Sequence, residues 1–484
     1  MMDQDIPVEF WQRHRLVPLS QENGRITVGI DESTPLEVLE DVRLTLNKDV
    51  RPVRMSTEEI DEALRRLVLD TEGPGIDEDV DEQSVSLDAS SDLMGDAAGA
   101  PVVRLINSMF LRAMQTRASD IHVEPFEEDT IVRMRVDGVL HETTRVPRSR
   151  HSQIAARLKV MSKLDLAESR RPQDGRLHVH SGDRHIDVRL STVPTLHGER
   201  LVMRLLEKNM ELLSLGQVGM LSDTEQNINE ILGHPYGLFL VTGPTGSGKT
   251  TTLYSVLDKL RSPKCNVITI EDPVEYRVNG VGQIQVNDKI GLTFASGLRS
   301  VLRQDPDVLM VGEIRDRETA EIAVHAALTG HMVLSTLHTN DAPGAATRLV
   351  DLGVPSYLLS SCLVGVLAQR LVRKLCSNCK KKAKLTESDV KRLGLRADLA
   401  VRAIYEPGGC EECLQTGSLG RTGVFELMKV EEELASLIAR SDDARTLRVA
   451  ARRHGMRTLM EDAARKVVQG VSSREEAMRV TKAI

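Results

Sequence analysis

Eight residues, Gly243-Pro244-Thr245-Gly246-Ser247-Gly248-Lys249-Thr250, limit most strongly what this chain can fold into. They match GxxxxGK[ST], and the setting matters as much as the match. An apolar run, Leu238 to Thr242, precedes them and reads as a strand. Lys249-Thr250-Thr251-Thr252-Leu253-Tyr254 then opens a helix that extends to Leu260. Small residues allow successive backbone N–H groups to wrap phosphates, and a helix N-terminus adds positive potential. In that setting Gly243 to Gly248, with Thr250 and Thr251, would cradle a nucleotide. Lys249 would reach its β- and γ-phosphates, and the Thr250 hydroxyl would ligate Mg²⁺. ATP and Mg²⁺ are the expected ligands; the bland alternative is a glycine-rich turn that binds nothing.

Downstream of this helix the strand–helix alternation repeats. Asn266 to Glu271 and Asp307 to Val311 read as strands, Arg317 to Leu328 as a helix, and Met332 to Thr336 as a third strand. Strands alternating with helices predict an α/β, mostly parallel, doubly wound sheet. Three polar clusters close these strands. Glu271-Asp272-Pro273-Val274-Glu275 puts carboxylates where they could ligate Mg²⁺ through water or orient the attacking water. Asp307 to Glu313 is an apolar strand ending on an acid, a Walker B pattern with Glu313 as the acid. His331 and His338 bracket the third strand. A histidine at a strand end is usually a structural hydrogen bonder, but beside a phosphate loop and two acidic strand ends both become candidate γ-phosphate sensors.

The arginines read in two ways. Arg299 and Arg303 are four residues apart, which places them on one helical face. Arg189 and Arg204 lie in alternating stretches upstream. Each could be part of a solvated surface, or positive charge delivered to the phosphates from outside the loop, as oligomeric P-loop motors often need.

The 484 residues suggest two to four domains. Residues 1–69 read as a small α/β domain with a strand at Arg25 to Ile30 and helices at 36–46 and 57–68; Trp11 reads as core or interface. Residues 70–100 read as an acidic flexible linker: Asp70 to Asp96 holds ten acids and no Lys or Arg. Residues 101–207 read as a second α/β domain rich in Arg, with a hairpin turn at Asp137-Gly138. Residues 208–484 would form the ATPase domain, ending in a helical tail broken near Gly455 and Gly470. A net charge of -8 and 2% aromatic residues argue against nucleic acid as a partner. No signal peptide is evident, and the longest apolar stretch, Tyr357 to Ala368, is too short to span a membrane. A cytoplasmic location is expected.

Four of the six cysteines form two pairs, Cys376-Ser-Asn-Cys379 and Cys410-Glu-Glu-Cys413, separated by 30 residues. Two CxxC knuckles predict one tetrahedral, structural Zn²⁺ with four thiolate ligands, inside a module spanning 372–418. Pro407-Gly408-Gly409 would supply the tight turn. Cys265 and Cys362 read as buried thiols.

Phosphate loop, acidic strand end, Gly-Glu after the second strand and paired histidines resemble, in that order, the secretion ATPase superfamily: Walker A, Asp box, Walker B and His box. Arg117-Ala118-Ser119-Asp120-Ile121-His122-Val123-Glu124-Pro125, Arg171-Pro172-Gln173-Asp174-Gly175-Arg176 and Arg421-Thr422-Gly423-Val424-Phe425-Glu426 narrow the likeness to the type II secretion and type IV pilus-assembly ATPases. The likeness covers about residues 101–484. It implies a RecA-like core with a zinc-binding insertion, a PAS-like second domain and an N-terminal adaptor. It implies Glu275 as the water-activating residue and Glu313 as the Walker B acid. His331 and His338 fill the His box, and Arg189, Arg204, Arg299 and Arg303 belong to the nucleotide site. It also implies a homo-hexamer at the inner-membrane face. The N-terminal domain would dock on the cytoplasmic domain of a membrane protein, and the motor would act on a platform protein, touching the membrane only through partners. The motor would power pseudopilus assembly and protein export. A type IV pilus-assembly ATPase is the nearest alternative; a DNA-transfer motor and a non-hydrolysing ATP-binding scaffold are more distant ones.

Overall fold

The computed structural model describes residues 16–22, 25–30, 38–39, 42–43, 49–56, 60, 85–87, 100–181, 184–207, 212–394 and 403–481. Trp11, most of the helices expected at 36–46 and 57–68, and the most acidic part of the expected linker lie outside the described residues. Two compact units divide the chain, Met1–Glu82 and Gln83–Ile484.

In the first unit β1 (Val17–Glu22) pairs antiparallel with β2 (Arg25–Ile30), which pairs in parallel with β3 (Asp49–Arg54). Ile26, Val28 and Ile30 alternate along β2 onto one face. There they form a small core with Leu16, Val17, Val42 and Ile60.

The second unit begins with a seven-stranded sheet. Its strands are β4 (Val85–Leu87), β5 (Asp120–Pro125), β6 (Asp129–Val136), β7 (Val139–Pro147), β8 (Gln173–Ser181), β9 (Arg184–Thr195) and β10 (Gly198–Glu207), in the order β4-β8-β9-β10-β5-β6-β7. All its pairings are antiparallel. Helices α1 (Ala100–Gln115) and α2 (His151–Met161) cover one face. That face buries Ile121, Val123, Val132, Met134, Val188 and Leu201 with them. The intervening positions carry the charged residues, so strict period-two alternation makes one face core and the other a field of arginines. Asp137 and Gly138 form the β6–β7 turn at φ 48° and 85°, the two positive values of a type I′ hairpin. Within the expected linker 70–100, Val85-Ser86-Leu87 is strand, added to the edge of β8, and Ala100 already begins α1. An apolar-polar-apolar triplet can pair an open edge even in acidic surroundings.

The larger sheet has the order β13-β12-β14-β15-β11-β16-β19. It contains β11 (Gly237–Thr242), β12 (Val267–Glu271), β13 (Gly282–Gln285), β14 (Val308–Val311), β15 (Met332–Leu337), β16 (Leu363–Leu375) and β19 (Ser418–Lys429). Every pairing is parallel except β16 with β19. Strands β11, β14 and β15 are buried throughout, as expected of a parallel sheet covered on both faces. Between β11 and β12 runs α4 (Lys249–Leu260); α3 (Ser222–Leu232) precedes them. Helices α5 (Phe294–Val301), α6 (Arg317–Leu328), α7 (Ala342–Asp351) and α8 (Ser356–Cys362) complete the winding. Strand order jumps between consecutive elements on either side of β11, the doubly wound pattern whose ligands bind at the carboxyl ends of the strands. A two-stranded ribbon, β17 (Lys381–Lys384) and β18 (Ala403–Glu406), lies between the two cysteine pairs together with α9 (Glu387–Arg392). Four helices end the chain, with Gly455 and Gly470 at positive φ between them. Among the described residues no helix is long and apolar enough to cross a membrane.

Candidate nucleotide site and metal centre

The phosphate loop leaves the carboxyl end of β11 and closes on α4. Gly243, Gly246 and Gly248 have φ of 150°, 77° and 85°, a backbone that side chains resist. At Gly243 a Cβ would stand 2.4 Å from Gln369 O, and at Gly248 one would stand 2.8 Å from Gln369 Nε2. Gln369 on β16 is the reason. It is 1% exposed, donates from Nε2 to Ser247 O at 2.8 Å and accepts from Thr252 Oγ1 at 2.7 Å. One amide thus ties the end of the loop to the first turn of α4. Sequence reading missed Gln369, since nothing in Ala368-Gln369-Arg370 marks it; only the parallel pairing of β16 with β11 brings it there.

Thr245, Gly246 and Thr250 are exposed at the lip of the loop, and Ser247 and Lys249 are buried. Lys249 Nζ donates to Gly243 O at 2.8 Å and Pro244 O at 3.1 Å. Burial lowers its pKa to about 8, opposed by the charge of Glu313. A partly desolvated ammonium held by neutral carbonyls has much to gain from an anion.

Glu313 follows β14. It forms ion pairs with Arg315 and, at 3.4 Å, with His338 Nε2. Its hydrogen bond and charge raise the pKa of Arg315. His338 is just beyond the carboxyl end of β15. Ser335 Oγ donates to Val311 O and Thr336 Oγ1 to Gly312 O, each at 2.7 Å, so the backbone that carries Glu313 is clamped to β15. Thr339, two residues past the strand, meets Thr242 Oγ1 through its N–H at 2.9 Å and its hydroxyl at 2.8 Å. Walker A, Walker B and His338 are thereby linked side by side.

The other predicted residues separate into groups. Glu271 is buried among Tyr254, Thr269 and Gln283, accepting from Thr269 Oγ1 at 2.5 Å and Gln283 Nε2 at 3.1 Å. Burial and this carboxylate push the Tyr254 phenol up, and burial pushes Tyr276 up to about 12. Asp272 is exposed, and its charge also favours protonated Arg315. Glu275 is half-buried, 3.7 Å from Arg189 on the antiparallel sheet. Arg204 is held by Asp120 at 2.9 Å. Arg299 and Arg303 are exposed; Arg299 pairs with Glu318, and Arg303 donates to Arg299 O at 2.9 Å. In this chain they turn toward α6 and their own helix rather than the phosphate loop. His331 precedes β15, bonded to Ala326 O at 2.9 Å. It stands about 20 Å from the carboxyl end where His338 lies, at ~3.3 Å per strand residue. Bracketing a strand puts two residues at opposite ends of it, which is why one histidine reaches the site and the other does not.

Cys376, Cys379, Cys410 and Cys413 bring their sulfurs within 4.8 Å of one another. The 376–410, 379–413 and 410–413 separations are 3.8, 3.7 and 3.6 Å. A tetrahedral ion with ligand bonds of about 2.3 Å requires edges of about 3.8 Å. Backbone N–H groups of Gly409 and Gly417 donate to Cys379 and Cys413 Sγ at 3.2 Å, as thiolates favour. A Cβ on Gly408 would fall 2.0 Å from Cys379 O. The donor set fits a single thiophilic ion with no open position. Of the two lone cysteines, Cys362 is buried, its thiol pushed up to about 12 by burial, whereas Cys265 is only half-buried.

A phosphate loop at a doubly wound switch point, with Glu313 and His338 paired at 3.4 Å on the neighbouring strands' carboxyl side, is a candidate nucleotide site, and comparison with known proteins names the lineage. The model described as "Type II/IV secretion system protein" matches residues 96–479.

The chain belongs to this family.

An MshEN domain matches residues 1–74. Similar curated proteins include type II secretion system protein E of Dickeya dadantii, 44% identical over 99% of this chain and 97% of the relative. Type II secretion system ATPase E of Vibrio cholerae is 48% identical over 82% of this chain and 78% of its own length. Among solved structures, the pilus retraction motor PilT with bound ADP aligns at 26% identity and a TM-score of 0.52. That alignment covers 78% of this chain and 98% of PilT. The chain is a RecA-like ATPase of the secretion family.

Proposed function

We propose that this chain is the cytoplasmic ATPase of a type II secretion system, converting ATP hydrolysis into pseudopilus assembly and protein export. The convergence of Lys249, Glu313 and His338 around the phosphate loop, in a chain of the secretion family, carries this reading. Backbone N–H groups of Thr245 to Thr251 bind the phosphates. Lys249 leaves its two carbonyls for the β- and γ-phosphate oxygens. Thr250 and Glu313 are the residues that would hold Mg²⁺, whose contribution is to neutralise charge across those oxygens. Glu275, in the loop after β12, orients the attacking water and accepts its proton. His338, paired with Glu313, reports whether a γ-phosphate is present. Arg189 and Arg204 bring positive charge from the second sheet, and the outward-facing Arg299 and Arg303 suit delivery to a neighbouring subunit. Glu271 braces the base of α4 through Tyr254. His331 supports the entry of β15.

The four cysteines hold one structural Zn²⁺. The active assembly is a homo-hexamer at the inner-membrane face. The N-terminal unit docks on the cytoplasmic domain of a membrane protein and the motor works on a platform protein, with membrane contact only through these partners. Domain boundaries at 69, 100 and 207, with a zinc module at 372–418, suit these separate tasks.

Glu313→Gln tests the motor. It should keep binding a non-hydrolysable ATP analogue while turnover falls about 10²–10³-fold, and secretion should stop in cells relying on the variant. Undiminished secretion would favour the ATP-binding scaffold. A defect in pilus formation with intact secretion would favour the pilus-assembly reading.

A further inference from the structure

The charged face of the antiparallel sheet carries a row that the alternation pattern alone does not reveal. Register pairs Arg176 with Arg189, Arg189 with Arg204, Arg204 with Asp120, and Asp120 with Arg135. Three arginines therefore stand directly opposite one another on adjacent strands. Like charges in that relation repel, so the arrangement costs the free fold something. The carboxylates nearby offset little of it. Asp120, 5% exposed, is committed to Arg204 at 2.9 Å, to Arg135 at 3.7 Å and to the Ser119 hydroxyl at 2.8 Å. Glu275 pairs with Arg189 at 3.7 Å. Asp174 lines the groove on the neighbouring row, opposite Ser191. Arg176 is exposed, and among the described residues no carboxylate lies within ion-pair distance of it.

The three arginines line one groove of about 470 Å³ floored by Val202 and Ser191. Strands about 4.8 Å apart put the outer two arginines roughly 10 Å apart at the backbone, a span that lets three guanidinium forks converge on one tetrahedral anion. Arginine is suited to this, since its planar fork binds phosphate oxygens in pairs. The Arg189–Glu275 contact, at 3.7 Å, sets one of these arginines against the loop after β12 of the ATPase core in the same chain.

We propose that Arg176, Arg189 and Arg204 form one anion seat for the terminal phosphate of the nucleotide on the same chain's phosphate loop, with Arg176 as a third contacting cation. This rests on the ATPase reading of Arg189 and Arg204 and adds a residue to it. Asp120 is the positioning residue: it clamps Arg204 at the edge of the row, leaving its outer nitrogens free for the phosphate. Repulsion within the row is relieved when the anion arrives, so the seat favours closure of the sheet onto a loaded site over an empty one.

The test uses the full-length chain with Arg176→Gln, Arg176→Lys, Arg189→Gln and Arg204→Gln, each assayed for ATP turnover and for thermal stabilisation by a non-hydrolysable ATP analogue. Arg176→Gln should lower kcat at least tenfold and shrink the stabilisation by the analogue, while melting without nucleotide is unchanged or raised, because a repulsive neighbour has gone. Arg176→Lys, which keeps the charge, should recover part of the loss. Turnover by Arg176→Gln within twofold of the unaltered chain, with Arg189→Gln and Arg204→Gln inactive, overturns this proposal and leaves the ATPase reading of the other two intact. Full turnover by all three Gln variants overturns both.

Discussion

Lys249 shows how one residue can be poised for a ligand by its own fold. Its ammonium rests on Gly243 O and Pro244 O, and burial holds its pKa at about 8 rather than 10.5. Between those values the unfolded chain binds the extra proton, so this group makes the free fold more stable as pH rises through that window. Phosphate acts in the opposite direction by raising the lysine's pKa. Affinity for an ATP analogue should therefore be level below pH about 8 and fall by up to ~tenfold per unit above it. Calorimetry at pH 8.5 in buffers of different ionisation heat should also show proton uptake on binding. Both signatures should vanish in Lys249→Ala, which should hydrolyse ATP about 10³-fold more slowly with its fold intact. Turnover near that of the unaltered chain would remove the site assignment. Lys249, Thr250 and Glu313 were legible from motif and strand context. Gln369 and Asp120 were not, because each acts through a partner that only strand pairing supplies.

At the scale of elements, β16 does two tasks at once. Its middle presents Gln369 to the phosphate loop, and its end leads into Cys376. Gln369→Ala would leave Ser247 O and the Thr252 hydroxyl unpartnered in a buried place, at about 1–3 kcal/mol for each. Chemical unfolding should show that loss, and nucleotide affinity should weaken with it as the loop loosens; an unchanged midpoint would deny Gln369 its clamping role. At the other end, Cys376→Ser should abolish binding of one zinc per chain and loosen the 372–418 module, because metal binding there doubles as folding energy. Elemental analysis of freshly purified protein and proteolysis of the module measure this directly. Zinc-free protein with an intact module would remove the claim. The cysteine spacing announced the module, but the turn that closes it depends on Gly408, which packs where no Cβ fits.

For the whole molecule, the groups proposed for catalysis are divided between two parts of the second unit. Glu275 lies in the loop that follows β12 of the parallel sheet and Arg189 on β9 of the antiparallel one, and their contact at 3.7 Å joins the two. Arg299 and Arg303 are exposed, Arg299 paired with Glu318 and Arg303 bonded to Arg299 O. A site completed by a second subunit predicts specific ATPase activity that rises with protein concentration. Size measurement with an ATP analogue should show a larger assembly than without. A specific activity independent of concentration would place all the required groups in one chain.

Local order carries the chemistry that needs neighbouring residues. The phosphate loop is eight consecutive residues, Walker B is one strand and its end, and each CxxC pair spans four positions, so the chain states these outright. Period-two alternation likewise foretold an arginine-rich sheet face. Which arginine stands opposite which is a matter of register between β8, β9, β10 and β5, strands far apart in the chain. The same holds for the histidines: His331 and His338 are seven residues apart in sequence, and a fully extended strand turns that short separation into opposite ends of the sheet. Sequence named the parts of the nucleotide site; tertiary structure decided which of them meet, because strand pairing rather than chain proximity sets the distances over which charges and hydrogen bonds act.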